Sequence, residues 1–159
     1  MRCMRWMFGA LACCMLAAAV ARARDKEAKP ASQRAEYKPQ SEVASKSAFA
    51  TVKEDDSAVK KALAAKELAE AKKLIGKDGA FKGTVTKVFS PRGNSMVILD
   101  FAPNFKDALT AVLKAVNYAK FPDMSQLKDK KVLISGKFED YKGAPQIVLE
   151  KLEQIRLIK

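Results

Sequence analysis

Strand-like segments separated by turn clusters fill the sequence after Ala80, and this alternation constrains the fold more than any other feature. Residues 81–89 are rich in β-branched and aromatic side chains, and the Ser-Pro-Arg-Gly-Asn cluster at residues 90–94 follows them directly. Runs of this composition that stop at Gly, Pro and Asn are typical of strands that end in turns. The same pattern predicts four further strands, at residues 95–102, 108–114, 131–139 and 146–158.

A short helical link divides these strands into a group of three and a group of two. Residues 115–127 break the strand alternation and include a helix-compatible stretch from Ala115 to Lys120. Three strands, a helix and two strands is the order in which an OB-type barrel is wound. Gly83 and Gly136 lie inside predicted strands, where glycine often marks a bend or a bulge. We therefore predict a mainly β, five-stranded OB-type barrel at residues 77–159, with an unclosed five-stranded meander as the alternative.

Two segments of different composition precede this domain. Residues 55–76 consist largely of good helix formers, begin with two aspartates and end at Gly76, and they predict one lead-in helix. Residues 24–54 contain two prolines, many charged side chains and few large apolar ones. Such a segment buries too little surface to offset the entropy lost on ordering. We therefore predict a disordered basic tether at residues 24–54.

The first 23 residues have the layout of a secretory signal peptide. Arg2 and Arg5 form a positive start, residues 6–20 are uncharged and mostly apolar, and Ala21-Arg22-Ala23 matches an A-x-A cleavage site. The apolar run is also shorter than the roughly 18 residues expected of a membrane span. This pattern predicts export to the periplasm or beyond, with a retained anchor or a lipoprotein as the alternative.

Charge and cysteine content depend on whether this segment is removed. The whole chain of 159 residues has a formal net charge of +12. Loss of residues 1–23 subtracts three arginines, which leaves +9, and it also removes all three cysteines. The mature chain would then have no disulfide and no disulfide-linked partner. Its excess of basic residues makes a polyanionic ligand the first candidate.

The residue types that carry most catalytic chemistry are missing. The sequence has no histidine, no cysteine after residue 14 and no glycine-rich phosphate-binding motif. Imidazole bases, thiol nucleophiles and the usual zinc ligands are therefore absent. Asp100, Asp107 and Asp140 could in principle hold a hard cation, but their spacing matches no metal motif. We predict no enzyme activity, no cofactor and no metal site, with Asp107 and Asp140 in turns and Asp100 facing solvent.

Basic and aromatic residues give the positive signal. An OB barrel commonly binds across its second and third strands, framed by the loops at residues 90–94 and 140–144 in this sequence. Lysine and arginine would neutralise phosphates, and Phe105, Tyr141 and Phe89 could stack on bases. Each lysine could equally serve solubility, and each phenylalanine could belong to the core. The candidate ligand-binding residues are Lys87, Arg92, Phe105, Lys106, Lys114, Lys137, Tyr141 and Lys142.

Several short motifs between residues 74 and 158 together resemble a known family. They are LIGK at 74–77, GTV at 83–85, LDF at 99–101, LKDKKVLISG at 127–136 and YKGAPQIV at 141–148, with Gln154-Ile155 closing the pattern. This combination resembles the bacterial OB-fold domains of the tRNA-anticodon-binding type. The resemblance implies a nucleic-acid-binding fold, and it brings no catalytic residues with it.

Three kinds of binding protein fit these observations. The first choice is an exported OB-fold protein that binds single-stranded nucleic acid or another polyanion. The alternatives are a periplasmic interaction or structural module with an envelope protein as partner, and a binder of oligosaccharides or small molecules. An exported chain does not meet cytoplasmic nucleic acid, so extracellular DNA would be the relevant form.

Overall fold

The computed structural model describes residues 37–159 of the chain. These residues form a curled sheet of nine strands, together with several short helices. In chain order the elements are α1 (Gln40–Val43), β1 (Ala50–Val52), α2 (Ser57–Lys61), β2 (Leu63–Ala64), α3 (Leu68–Lys73), β3 (Asp78–Thr84), β4 (Lys87–Phe89), β5 (Met96–Asp100), β6 (Thr110–Lys114), β7 (Lys131–Tyr141), β8 (Ala144–Leu149) and β9 (Ile155–Ile158). Short 3₁₀ helices occupy Ala115–Lys120, Met124–Leu127 and Leu152–Gln154. The signal peptide predicted at residues 1–23 lies outside the described residues.

Strand pairing is mostly antiparallel. The antiparallel pairs are β3–β7, β4–β5, β5–β6, β7–β8 and β7–β9, and the parallel pairs are β1–β9, β2–β3 and β6–β8. Strand β7 is the longest, and its two halves have different neighbours. Its first half lies between β3 and β9, whereas its second half pairs with β8. The sheet therefore curls around β7, which confirms the predicted mainly β class.

The core fills the inside of the curl. Leu99, Ala111, Ile147 and Phe138 are register partners across β5, β6, β8 and β7, and all four are completely buried. Each aliphatic or aromatic side chain of this size stabilises the fold by about 1.5–3 kcal/mol when buried. Phe81 adds an edge-to-face contact with the Phe101 ring at 5.1 Å. The period-two alternation in the sequence therefore places one face of each strand in the core.

Two glycines are required by close packing. A Cβ atom on Gly83 would lie 2.9 Å from the Phe101 ring, and one on Gly136 would lie 2.9 Å from Ile147 Cγ2. Real Cβ atoms do not approach other heavy atoms so closely, so any other residue would displace the core. These are the two positions at which the sequence predicts special backbone inside strands.

Several strand boundaries differ from the predicted ones. The first predicted strand begins earlier and is interrupted at Val85 and Thr86, which separate β3 from β4. The long fifth strand is interrupted by the 3₁₀ helix Leu152–Gln154, which separates β8 from β9. The third strand begins at Thr110 instead of residue 108, and the predicted helical link is 3₁₀. Interruptions of this kind depend on how strands curl around the core, which a local pattern does not report.

The single lead-in helix predicted at residues 55–76 is absent from the structure. Two short helices, α2 and α3, occupy this stretch, and the two-residue strand β2 lies between them. Leu63 and Ala64 pair with Phe81 and Lys82 of β3, and the Ala65 amide donates to the Lys82 carbonyl at 2.8 Å. Pairing with an existing strand replaces the helical hydrogen bonds, so tertiary contacts override the high helix propensity.

The described part of the predicted tether, residues 37–54, is ordered against the sheet. Strand β1 extends the sheet along β9, and Phe49 is buried in the main core. Gln40 is also buried, and its side chain bonds to the backbone around the second 3₁₀ helix. A few well-placed contacts offset the ordering entropy that the polar composition predicts to dominate. Within residues 37–159, every helix falls short of the length and apolarity that a membrane crossing requires.

Candidate functional site

A groove of about 680 Å³ lies between α3, the loop from β5 to β6, and the hairpin that joins β7 to β8. We call it the lysine groove because three lysines line it. Its walls combine these cations with exposed aromatic rings and small apolar residues. The lining residues are Leu68, Lys72, Phe105, Lys106, Tyr141, Lys142, Gly143, Ala144 and Pro145.

Helix α3 contributes one wall of the lysine groove. Leu68 and Lys72 are four residues apart, so they lie on the same face of the helix. The completely buried Ala71 anchors α3 to the main core. The neighbouring Lys73 forms an ion pair with Glu70 at 2.7 Å. Lys72, which lines the groove, takes no part in this ion pair. Lys72 therefore presents an unpaired charge to the groove among the described residues.

The β7–β8 hairpin forms the opposite wall. Lys142 and Gly143 both have positive φ angles, 54° and 83°, as a two-residue type I′ turn requires. The Gly143 amide donates to Asp140 Oδ2 at 3.3 Å, so the Asp140 side chain supports the turn, although the residue itself lies in β7 opposite Pro145 and not in the turn as predicted. Tyr141 is 54% exposed, and the Lys142 ammonium lies 5.3 Å from its ring centre. The tight turn thus holds an aromatic ring and a cation together at the edge of the groove.

The loop between β5 and β6 adds a second aromatic–lysine pair. Asn104 shapes this loop, because its side-chain Oδ1 accepts from the Lys106 amide at 3.2 Å. Its carbonyl accepts from the Asp107 amide at 3.0 Å, which places Asp107 in a turn as predicted. Phe105 is 53% exposed, and the Lys106 ammonium lies 5.9 Å from its ring centre. Exposed rings that share one groove with other apolar residues form the kind of contiguous patch that marks binding sites.

The groove is positively charged. Three lysines line it, and the lining residues drawn from positions 37–159 include no carboxylate. Lysine ammonium groups are compact charges that attract phosphates and other anions. Each ring is also about half exposed, so part of its surface can stack on a flat group beside the lysine. Chemically, the groove is suited to bind a flexible anion that also carries flat rings.

A second surface lies on the side of the sheet that faces away from the core. We call it the outer face, and it comprises the outward side chains of β4, β5, β6, β7 and β8. The core-facing register partners Leu99, Ala111 and Ile147 fix which side chains point outward. On the outer face, register partners form two rows that run across the strands.

The two rows differ in polarity. The polar row consists of the successive register partners Lys87, Asp100, Thr110, Gln146 and Glu139. The apolar row consists of Phe89, Ile98, Val112 and Val148. The polar row lies nearer the lysine groove, because Pro145 lines the groove and Gln146 follows it directly. Of the two rows, the polar row therefore lies at the groove end of the strands.

Asp100, predicted to face solvent, is buried instead. Its side chain belongs to the outer face, yet only 9% of the residue is exposed, and Oδ1 has no hydrogen-bond partner among the described residues. Burial raises the pKa of the Asp100 carboxyl above its ordinary value, and the nearby charge of Lys87 opposes that rise. Lys87 lies directly opposite on β4, but its ammonium sits 4.9 Å from the Phe89 ring centre. Within residues 37–159 the two side chains form no ion pair.

Four of the eight predicted binding residues line the lysine groove, namely Phe105, Lys106, Tyr141 and Lys142. Lys87 belongs to the polar row of the outer face instead. Arg92 lies in the turn between β4 and β5, at the far end of β5 from the groove. Five strand residues at about 3.3 Å each separate these ends by roughly 15 Å. The two loops expected to frame one site are therefore at opposite ends of it.

Lys114 and Lys137 are also away from the groove. Lys114 ends β6 and pairs with Met96, at the same end of the sheet as Arg92. Lys137 pairs with Asp78 across β3 and β7, where the opposite charge lies next to it. Both lysines are exposed, but the fold does not bring either one to the groove.

Sequence reasoning missed Leu68, Lys72 and Pro145 as groove residues. Leu68 and Lys72 belong to the predicted lead-in helix, and the sequence does not indicate how close that helix lies to the sheet. Their four-residue spacing gave the only local signal, since it places a leucine and a lysine on one helical face. Pro145 lay within the YKGAPQIV motif, but nothing in that motif indicates which side of the hairpin it lines.

No protein-family model and no curated protein matches the chain. The resemblance to OB-fold domains of the tRNA-anticodon-binding type therefore stays a prediction. In the part of the chain that the structure describes, acidic side chains form no group of three that could hold a metal ion.

Proposed function

We propose that this protein is an exported, non-catalytic OB-fold protein that binds single-stranded nucleic acid or a similar polyanion in the lysine groove. The observation that carries the proposal is the convergence of three lysines and two half-exposed aromatic rings on one groove whose described lining contains no acid. Lysines supply sequence-independent affinity for phosphates. Exposed rings supply stacking platforms for unpaired bases.

The strand pairings support an OB-type arrangement. The ladder runs from β4 through β5, β6, β8 and β7 to β3, and only Val85 and Thr86 separate β3 from β4 along the chain. If β3 and β4 are counted as one bent strand, and β8 and β9 as another, five strands remain. The 3₁₀ helices at Ala115–Lys120 and Met124–Leu127 then stand between the third and fourth of these. The β1 and β2 pairings are additions to this plan.

Single strands fit the groove better than a duplex. Base–aromatic stacking contributes about 1–3 kcal/mol per base, and it requires bases whose faces are not already stacked on a neighbour. Phe105 and Tyr141 stand on separate loops on either side of the groove, so two bases could stack with phosphates near the lysines. A binder of duplex DNA would instead need an element to enter the major groove.

Export is part of the proposal and depends on the signal-like pattern at residues 1–23. The ligand would then be extracellular nucleic acid or another polyanion of the cell envelope. The resemblance to nucleic-acid-binding OB domains agrees with this ligand class. The lack of histidine and of accessible thiols in the mature sequence agrees with binding in place of catalysis.

The apolar row of the outer face favours a second candidate, an interaction module for an envelope protein. Phe89 is 41% exposed at one end of the row, and Ile98 beside it is partly exposed. Exposed apolar residues that adjoin one another are typical of protein contacts. If this candidate holds, Phe89→Ser would abolish capture of a protein partner, whereas loss of the groove lysines would leave capture intact.

Fluorescence anisotropy with a labelled oligothymidylate tests the first candidate. Three phosphate contacts predict that log K falls with log salt concentration with a slope of about −2. The variant Lys72→Ala/Lys106→Ala/Lys142→Ala should remove most of the binding and the slope. A matched variant, Lys60→Ala/Lys128→Ala/Lys130→Ala, changes net charge equally at exposed sites outside the groove. Equal losses in both variants, or no binding by the unaltered protein at low salt, would contradict the proposal.

A further inference from the structure

The least explained side chain of the outer face is Asp100. Buried polar atoms in folded proteins are nearly always hydrogen-bonded, so each exception calls for a cause. In residues 37–159, Asp100 Oδ1 is the buried side-chain atom without a partner. Lys87 lies directly opposite Asp100 on β4. Its ammonium nevertheless lies over the Phe89 ring and forms no ion pair with Asp100. Asp100 Oδ1 is therefore a buried hydrogen-bond acceptor to which none of the described residues donates.

We propose that Asp100 is a specificity residue that selects guanine in a single strand bound across the lysine groove and the outer face. This inference rests on the proposed function, and it names the base that the same site would prefer. It assigns to Asp100 the task of accepting hydrogen bonds from the ligand. The lysines and aromatic rings of the groove would supply affinity for any sequence.

The position of Asp100 suits this task. It ends β5, and the loop that begins immediately after it carries Phe105 and Lys106 into the groove. Its register partner Thr110 starts β6, and Gln146 of β8 is the next partner in the polar row. A base adjacent to the one stacked on Phe105 would therefore extend over the polar row. Thr110 and Gln146 can donate or accept there, whereas an ionised Asp100 can only accept.

Guanine is the base whose edge matches a lone carboxylate. Its Watson–Crick edge presents two adjacent donors, the ring N1–H and the exocyclic amino group, which a carboxylate can accept together. Adenine and cytosine present one amino donor next to a ring-nitrogen acceptor, which would repel the carboxylate. Thymine presents one ring N–H between two carbonyl oxygens, with the same repulsion. Unpaired bases are read on this edge in single-strand recognition.

Lys87 lies opposite Asp100 and could contact the backbone of the bound chain. Its side chain is exposed and belongs to the neighbouring strand, so it can move toward a phosphate of the bound chain without disturbing the core. Glu139, the other charged member of the polar row, lies at the far end on β7. A phosphate is disfavoured next to Asp100 by charge, so the base and not the backbone would occupy this position.

The test compares three labelled oligonucleotides of about eight residues, which suits the site size of one OB domain. One is all thymidine, one carries a single central guanine, and one carries inosine in its place, which lacks the exocyclic amino group. With the full protein we expect the guanine-containing strand to bind about tenfold more tightly than the thymidine strand. The inosine strand should fall between the two.

Two variants with the same change of net charge separate the outcomes. Asp100→Asn should bind all three strands alike, because an amide no longer favours the paired donors of guanine. Asp78→Asn, at an exposed position on β3, should retain the guanine preference. Equal binding of all strands by the unaltered protein, or a guanine preference that survives in Asp100→Asn, would overturn the inference and leave the proposed function standing. If no strand binds at low salt, the proposed function fails and this inference fails with it.

Discussion

At Asp100, stability and the proposed recognition make opposite demands. Folding disfavours a buried carboxylate without a partner, whereas the proposed recognition of guanine needs one. A buried acceptor without a partner destabilises the folded state by about 1–3 kcal/mol. Burial also raises the pKa of its carboxyl, with Lys87 opposing the rise, so the ionised form is the disfavoured one in the folded protein. Residues with this signature concentrate at binding and catalytic sites, where function keeps what stability alone would replace.

The pH dependence of stability tests whether Asp100 carries this penalty. Because its pKa is higher in the folded than in the unfolded chain, the folded protein binds the proton more tightly. Its contribution therefore favours folding at acidic pH and is lost as pH rises above the ordinary value of 3.8 and through the folded-state pKa. We expect Asp100→Asn to be more stable than the unaltered protein by about 1 kcal/mol at neutral pH, with the difference vanishing at acidic pH. Urea denaturation across pH measures this; a less stable variant at neutral pH would contradict it.

The β7–β8 hairpin is the element that positions both Tyr141 and Lys142. Its two turn residues have positive φ angles, so the turn depends on Gly143 at its second position. Nothing lies within 4 Å of a Cβ built on Gly143, so backbone conformation and not crowding would set the effect of a substitution there. The hairpin can therefore be altered without touching the core.

Two substitutions distinguish hairpin geometry from hairpin charge. Gly143→Ala should cost about 1 kcal/mol in the free energy of unfolding, because alanine disfavours a positive φ. It should also weaken oligonucleotide binding by displacing Tyr141. Lys142→Asn forms the Asn-Gly pair that type I′ turns prefer, so stability should hold or increase. It should still reduce the salt slope by about 0.7 through loss of one phosphate contact. An unchanged slope in Lys142→Asn, measured by anisotropy, would exclude Lys142 from the groove contacts.

Elements built from local turn chemistry were predictable, and those built from distant contacts were not. The Asp-Tyr-Lys-Gly turn at residues 140–143 was recognisable because its residues are the ones such a turn needs. The prediction of one helix at residues 55–76 was wrong, because Leu63 and Ala64 pair with β3. Helix propensity does not report such a contact. Lys72 was missed as a groove residue for the same reason. Its role depends on where α3 packs against the sheet.

At the scale of the whole molecule, the ordered part of the protein extends well before the predicted barrel. Gln40 donates from Nε2 to the Phe121 and Pro122 carbonyls at 3.3 and 2.9 Å, and its Oε1 accepts from the Met124 amide at 3.0 Å. It therefore satisfies main-chain groups of the segment that links β6 to β7. The Lys159 amide donates to the Val52 carbonyl at 2.9 Å, which ties β1 to the residue that follows β9.

These contacts could not be predicted from composition, although the core could. Alternating apolar residues at positions such as Leu99, Ala111 and Ile147 indicate a buried face whatever the topology. A single glutamine and a single phenylalanine in a polar stretch carry no such periodicity, so residues 37–54 have the composition of a flexible linker. Their order comes from docking sites that exist only once the sheet has formed. Among residues 37–159, Gln40 is already buried, so the domain boundary expected near residue 77 lies about 40 residues too late.

Truncation tests whether this early segment is part of the folding unit. A chain beginning at Tyr37 retains Gln40, Phe49 and β1, whereas one beginning at Asp55 loses all three. Loss of the Phe49 side chain from the core, together with three orphaned backbone groups, should lower the free energy of unfolding by at least about 3 kcal/mol. The shorter chain should also expose the edge of β9 and associate more readily. Urea denaturation and size-exclusion chromatography of the two chains measure these effects. Equal free energies of unfolding would contradict this prediction, since they would show that the contacts of residues 37–54 with the sheet do not stabilise the fold.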